Sequence, residues 1–387
     1  MATYNKKLIF ISACMGMLIF GVVIAVLGSV LPSVIEKFRI DMVDAGSLFL
    51  IMNFGMLLGS MIFGPVVDRF GYKGLLTLCA FLVFMSLEGI ALSPGVNVLR
   101  ISLFVVGFAG GSVNGGTNAL VSDISEENRG AGLSFLGVFF GVGAFGVPLL
   151  LGSLLDKFSY ESLIGFVGVL ILIPFTLFAV IKFPAPKHEQ GFPFAEGFKL
   201  TRERTLLLFG LILFMQSGLE MTIGGWSATF LSEELELQPR KAVLFFSLFW
   251  FGMIMARLSM SEILRRTSKH NIMMASYFTA FAGAAILLLS QGIAVAIPGL
   301  LLTGIGFAAV FPLVFAYVGD LYPELSGTAF SVILVIGLLG AMTYPYLVGF
   351  LAEKIDLRSS MLLVVPLTLV LSAILFRIVD ARSKREQ

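Results

Sequence analysis

Charge is what this sequence is shortest of: Asp, Glu, Lys and Arg make up only 13% of its 387 residues. A water-soluble domain carries about twice that share. Most of the surface therefore faces something other than water, and lipid is the obvious partner. The net charge of +2 is too small to argue for nucleic acid, and no basic cluster with interleaved aromatics occurs. Cysteine is nearly absent too. Cys14 and Cys79 lie in separate apolar runs without ligand spacing, so they read as buried small hydrophobes, and no metal site is expected. The two histidines, His188 and His270, fall in polar segments, and no Ser/His/Asp, metal or nucleotide motif lies near them. No enzyme and no cofactor is expected.

What is abundant is apolar: 58% of the chain is hydrophobic, with 38 Phe and 42 Gly. A helix crosses the hydrocarbon core with about 20 apolar residues. By that rule spans fall near 8–35, 45–67, 75–93, 98–122, 130–155 and 161–183, then near 205–231, 242–263, 271–291, 294–318, 327–352 and 359–379. The first apolar run is too long for a signal peptide and has no clear cleavage site, so it is expected to be the first helix. With the N-terminus inside, loop Lys and Arg favour the cytoplasmic side by roughly two to one, which places both termini there. The polar stretch 185–204, rich in Pro, Lys and Arg, reads as a cytoplasmic linker between halves 1–184 and 205–387.

The halves are related. A shift of 197 residues carries Asp123 onto Asp320, Glu127 onto Glu324, Gly130 onto Gly327, Gly143 onto Gly340, Pro148 onto Pro345 and Gly152 onto Gly349 without a gap. Apolar composition alone does not align prolines, glycines and loop aspartates in one register. A six-helix shift gives parallel repeats, the arrangement that places substrate sites near mid-membrane between halves. The expected fold is an all-α membrane protein of twelve transmembrane helices in two pseudo-symmetric six-helix bundles.

The loop after the second span reads Gly64-Pro65-Val66-Val67-Asp68-Arg69-Phe70-Gly71-Tyr72-Lys73. Gly64 would let a neighbouring helix approach, Gly71 would permit a tight turn, and Asp68 could sit at a helix N-terminus or pair with a base. This loop resembles the Gly-x-x-x-Asp-Arg-x-Gly-Arg/Lys signature of the major facilitator superfamily. The resemblance implies that Gly64, Asp68, Arg69, Gly71 and Lys73 form a conformational gate bridging the halves on the cytoplasmic side. The second half holds a worn copy, with Arg265 and Arg266 in place of Asp68 and Arg69.

The fourth span and its exit run from Gly110-Gly111 through Asn114-Gly115-Gly116-Thr117-Asn118 to Asp123. The seventh carries Gly218-Leu219-Glu220 and Gly224-Gly225-Trp226, and the tenth Gly304-Ile305-Gly306 and Phe311-Pro312. Together these resemble the fucose–galactose–glucose:proton symporter branch, which implies a sugar or related polyol as substrate. That branch can carry an Asp in helix one and a Glu in helix four. Here the first span has no ionisable residue before Glu36, and the helix-four position falls on Asn114.

Intramembrane charge costs at least ~2.5 kcal/mol, so each instance calls for a role. Glu220, mid-span, could accept sugar hydroxyls, exchange a proton, or pair with a neighbouring helix. Glu88 is a second coupling candidate, and Arg257 reads as a snorkelling or paired structural residue. Asn53, Asn114, Asn118 and Gln216 carry amides, which donate and accept as a sugar hydroxyl does. Four-residue spacing puts Asn114 beside Asn118 and Gln216 beside Glu220 on their helices. Trp226 could stack on a pyranose face or sit at the membrane interface, and Tyr344 could contribute from the eleventh span.

The expected protein is thus a monomeric secondary transporter in the cell membrane. It imports a neutral sugar or polyol by alternating access, with a proton, or sodium, as coupling ion. An exporter of amphipathic compounds and a non-transporting ligand sensor are the competing readings.

Overall fold

The computed structural model describes residues 5–124, 129–184, 203–322 and 326–386. Among them, twelve helices are long and apolar enough to cross a membrane: α1 (Lys6–Phe38), α2 (Met42–Gly64), α3 (Arg69–Ala91), α4 (Val96–Val121), α5 (Phe135–Leu154) and α6 (Tyr160–Val180), then α7 (Arg204–Glu233), α8 (Pro239–Met260), α9 (Lys269–Leu288), α10 (Ile293–Leu321), α11 (Ala329–Ala352) and α12 (Leu357–Ala381). In hydrocarbon a segment that satisfies its own backbone is nearly compelled to be helical. Polar side chains mark the ends. Asn5 Oδ1 accepts the Lys7 and Leu8 amides, and α1 stops at Arg39 in the left-handed region with φ 51°. The expected linker, 185–204, lies almost wholly outside the described residues.

Two spans differ from expectation. Residues Met42–Ala91 are helical throughout, and only Gly71, at φ 76°, departs from helical geometry. The signature loop is therefore a kink between α2 and α3. In α10 the reverse happens: one expected span divides into Ile293–Phe307 and Val310–Leu321. Pro312 explains the division. It has no N–H to offer the Ala308 carbonyl, and its ring crowds that same group.

The chain forms two compact units. One comprises Met1–Arg39, Ile51–Phe192 and Pro239–Leu244, and the other Ile40–Leu50, Pro193–Gln238 and Phe245–Gln387. In the first, α1 packs on α4 and α5; in the second, α7 packs on α11 and α12, and α9 on α10. Glycine sets the closest approaches, in the same register in both. A Cβ at Gly107 would overlap the Met52 carbonyl oxygen, and one at Gly55 that of Phe104. In the other unit a Cβ at Gly304 would overlap the oxygen of Phe249, and one at Gly252 that of Leu301. Each partner is displaced by the same 197 residues, so the repeat seen in sequence is also a repeat of backbone contact. Such small-residue seams are how membrane helices gain dispersion contact where water expulsion drives nothing.

Each unit also carries a polar clamp tying three helices together. In the first, Lys37 Nζ lies 3.1 Å from Glu161 Oε1 and donates to the Ser93 carbonyl at 3.4 Å. In the second, Arg358 pairs with Glu234 at 3.2 Å and donates to the carbonyls of Ser290 at 2.7 Å and Leu288 at 2.8 Å.

Candidate functional site

In the second unit the break in α10 sits beside the polar face of α7. Gln216, 1% exposed, donates from Nε2 to the Phe307 carbonyl at 3.4 Å, the last residue before the break. The carboxylate of Glu220 lies one turn further on beside Gln216, within electrostatic reach of the Arg257 guanidinium of α8. An acid and an amide thus share one face of α7 beside a helix break, within electrostatic reach of a base on α8. The Gln216 Oε1 is buried with no hydrogen-bond partner among the described residues. A buried, unsatisfied acceptor costs about 1–3 kcal/mol, and a hydroxyl or N–H donor would relieve it. Interrupted helices recur where transporters bind solute or ions. Two of these partners were not singled out by sequence as site residues. Arg257 reads there as a structural charge, and the Phe307 carbonyl has no side-chain signal; Pro312 was the only available pointer.

Tyr344 and Trp226 belong to the same unit but to different surroundings. Tyr344 packs edge-on against Phe214, with ring centroids 5.6 Å apart, and borders Gly218. Trp226 is fully buried. Its Nε1 donates to the Pro345 carbonyl at 3.0 Å and its ring lies 5.9 Å from that of Phe49. Its hydrogen-bonding and packing capacity is engaged within the protein.

In the first unit Asn114 and Asn118 are half-buried on one face of α4. Asn118 Nδ2 donates to the Asn114 side-chain and main-chain oxygens, each at 2.9 Å, and lies 3.9 Å from the Met17 sulfur of α1. The four-residue spacing produces the contact it implies. Asn53 is buried in α2. Glu88, on α3, faces α6. Its Oε1 is buried without a partner among the described residues and lies where a Cβ on Gly168 would come within 2.7 Å. The structure therefore brings together Gln216 with Glu220, and Asn114 with Asn118, while Glu88 borders Gly165 and Gly168 of α6.

The signature loop holds its glycines for different reasons. Gly71 supplies the positive φ at which a side chain would be strained. A Cβ at Gly64 would meet nothing within 4 Å among the described residues. Lys73 is exposed, and Arg69, also exposed, sits over the Phe70 ring at 5.2 Å. The side chain of Asp68 lies outside those described.

Comparison with known proteins gives a consistent picture. The Major Facilitator Superfamily profile matches residues 13–342 and 297–387. An uncharacterized transporter of Sinorhizobium fredii is 27% identical over 360 residues, covering 89% of this chain and 91% of that protein. The glucose/mannose transporter GlcP of Bacillus subtilis is 21% identical over 348 residues, covering 85% of this chain and 84% of its own. Among solved structures, a mutant form of the nucleoside transporter NupG superposes with a TM-score of 0.80 at 16% identity, over 97% of this chain and 100% of that one.

Proposed function

The chain belongs to the Major Facilitator Superfamily and is a multi-pass membrane transporter; from that premise we propose that it imports a neutral sugar or related polyol, coupled to a proton. The observation that carries the reading is the unpartnered Gln216 oxygen beside Glu220. Sugar hydroxyls donate and accept, so one hydroxyl would satisfy Gln216 while its neighbour bonds the carboxylate. The Asn114–Asn118 pair of the first unit carries the same two-way chemistry. A relative named for glucose and mannose supports this class over amphipathic cargo.

Glu220 is the proposed seat of the coupling proton. Its carboxylate and the Arg257 guanidinium offset each other where an isolated charge is costly. A proton on Glu220 removes that offset, so protonation and rearrangement around Arg257 are linked. A sodium ion at the same carboxylate is the competing coupling chemistry. In this reading Trp226 acts behind the site by fixing α11 through Pro345, and Tyr344 borders the site. Glu88 is left as a second protonatable carboxyl, and the Gly64–Lys73 loop is the gate. The protein acts as a monomer in the cell membrane with both termini cytoplasmic. The absence of an ATP-binding loop in the sequence is consistent with a gradient as energy source.

The test is a thermal-shift panel on detergent-purified protein with hexoses, polyols, nucleosides and lipophilic cations, followed by uptake into liposomes with the stabilising compound. A ligand at 100 times its Kd raises stability by about 2.7 kcal/mol. Stabilisation by one or a few sugars, lost in Glu220→Gln, is expected. Silence from every sugar with shifts from lipophilic cations would replace import by export. Unchanged proton-driven accumulation in Glu220→Gln would remove Glu220 from the coupling.

A further inference from the structure

In the seam between α3 and α6 of the first unit, an acid stands where packing asks only for an apolar side chain. Glu88 lies over two glycines of α6. A Cβ on Gly168 would come within 2.7 Å of its Oε1, and one on Gly165 within 3.4 Å of its Oε2. The glycines clear the space that the carboxyl fills. Yet Oε1 is buried with no hydrogen-bond partner among the described residues, the costly state for such a group.

The repeat shows that packing does not require this arrangement. The 197-residue shift carries Glu88 onto Ala285, Gly165 onto Leu362 and Gly168 onto Val365. Where one copy has a long acid and two glycines, the other has three apolar side chains of comparable total volume and no charge.

The face of α3 that holds Glu88 is turned outward. Phe81, Met85 and Leu92 share that face by helical spacing and are 40%, 50% and 77% exposed. On α6, Phe166 and Val169 beside the glycines are exposed too. A spanning helix shows such a face to lipid. Glu88 is itself half-buried, and it precedes the end of α3 at Ala91 by about 4.5 Å of helix. Two turns deeper, Phe81 packs on Phe175 of α6 with ring centroids 5.8 Å apart. The seam thus has an acidic end near the membrane surface and an apolar, aromatic floor below it, the order of parts in a phospholipid.

We propose that this seam binds a phospholipid with a primary-ammonium headgroup, which bonds the Glu88 carboxylate while an acyl chain lies along Met85 and Phe81. Intramembrane acids usually face the bundle interior and pair there. Glu88 has its open side toward lipid, so its partner comes from the lipid. A primary ammonium carries the complementary charge and three N–H donors, and its bond to a carboxylate is of the stronger, charge-assisted kind. A quaternary headgroup has the charge without the donors. The site does not depend on which solute is carried.

The experiment titrates short-chain phosphatidylethanolamine, and separately phosphatidylcholine with the same chains, into detergent-purified protein and follows the unfolding midpoint. The ethanolamine lipid should act at about tenfold lower concentration, the factor expected of one charge-assisted bond. Glu88→Gln keeps the shape of the side chain and should remove that preference. Glu88→Ala with Gly165→Leu and Gly168→Val copies the second repeat and fills the seam with apolar atoms. It should show no preference either, while matching the parent's midpoint without lipid, and it carries the test if Glu88→Gln does not fold. Equal response of the parent to both headgroups, or a preference that survives in the variants, would overturn the proposal. So would a dimeric parent beside a monomeric Glu88→Gln protein, since a second copy of the chain would then occupy the seam. No sugar enters the titration, so its failure and the failure of sugar import are distinguishable.

Discussion

At the end of α1, Lys37 reaches across to Glu161 on α6 and to the Ser93 carbonyl after α3. At the matching end of α7, Glu234 takes Arg358 on α12, and Arg358 reaches the Ser290 carbonyl after α9. Every residue is 197 positions from its counterpart, and the charges have changed places. The repeats have kept a complementary pair, a carbonyl and a three-helix junction; they have not kept which helix carries the base. The two clamps are also unequal. Lys37 is a point charge with one acid and one carbonyl, whereas Arg358 spreads its planar fork over Glu234 and the carbonyls of Leu288, Ser290 and Glu234 itself.

The interior departs from the repeat in the opposite way. Gln216, Glu220 and Arg257 have Ile19, Val23 and Ser60 as counterparts in the first half. Asn114 and Asn118 have Phe311 and Phe315, which stack with ring centroids 4.7 Å apart. The same four-residue spacing makes an amide pair in one half and an aromatic pair in the other. The frame is thus symmetric and the candidate site is not. That is expected when packing needs only shape while recognition needs particular donors and acceptors.

The sharpest way to break this contrast is to write first-half residues into the second-half site. Glu220→Val removes the acid whose charge offsets that of Arg257 and should cost about 3–5 kcal/mol, read as a fall in the melting midpoint. Adding Arg257→Ser should restore stability to the parental value or above it, since apolar packing often matches a buried ion pair. Uptake in the double variant should nonetheless fall by about 100-fold or more, which corresponds to about 2.7 kcal/mol of lost transition-state stabilisation. Recovery of uptake with stability would deny the pair a functional role.

The clamps offer the next largest effect. Arg358→Ala should cost about 2–3 kcal/mol, because the Glu234 carboxylate and three carbonyls lose a charged donor together. Lys37→Ala should cost ~1 kcal/mol or less, in keeping with a partly exposed pair. Thermal unfolding of the two variants side by side checks the difference. Equal losses would mean that the extra bonds of Arg358 contribute nothing. The reversed pair Glu234→Lys with Arg358→Glu should be more stable than either single variant, as the first repeat already uses that polarity.

The smallest effect concerns helix caps at matching positions. Ser159 Oγ accepts the Ser162 amide at 3.3 Å, and Asp356 Oδ1 accepts the Ser359 amide at 2.7 Å. That amide holds the Asp356 carboxyl below its ordinary range. A depressed carboxylate adds stability above its unfolded value, near about pH 4, and loses it as pH falls through the lower folded value. Asp356→Ser, copying the first repeat, should therefore be slightly less stable than the parent at neutral pH, with the gap closing as pH falls through the lowered folded value. A gap constant with pH would show that the carboxylate charge plays no part.

Much of the molecule was legible in the order of residues alone. Apolar runs of membrane length, the 197-residue register and the amide pair at Asn114 and Asn118 each depend on local spacing, and local spacing is written directly in the sequence. The break in α10 was legible only in part: Pro312 was visible, but a membrane helix tolerates proline, as Pro148 and Pro345 inside unbroken helices demonstrate.

The sequence by itself determined how many helices form, where they lie along the chain and that they come in two related sets, because hydrocarbon forces each backbone to satisfy itself within its own segment. Only the tertiary structure decided that Glu220 lies within electrostatic reach of Arg257 and that Gln216 answers the Phe307 carbonyl. Those are meetings of residues far apart in the chain, and they depend on how helix faces are turned toward one another, which an almost uniformly apolar sequence leaves unmarked.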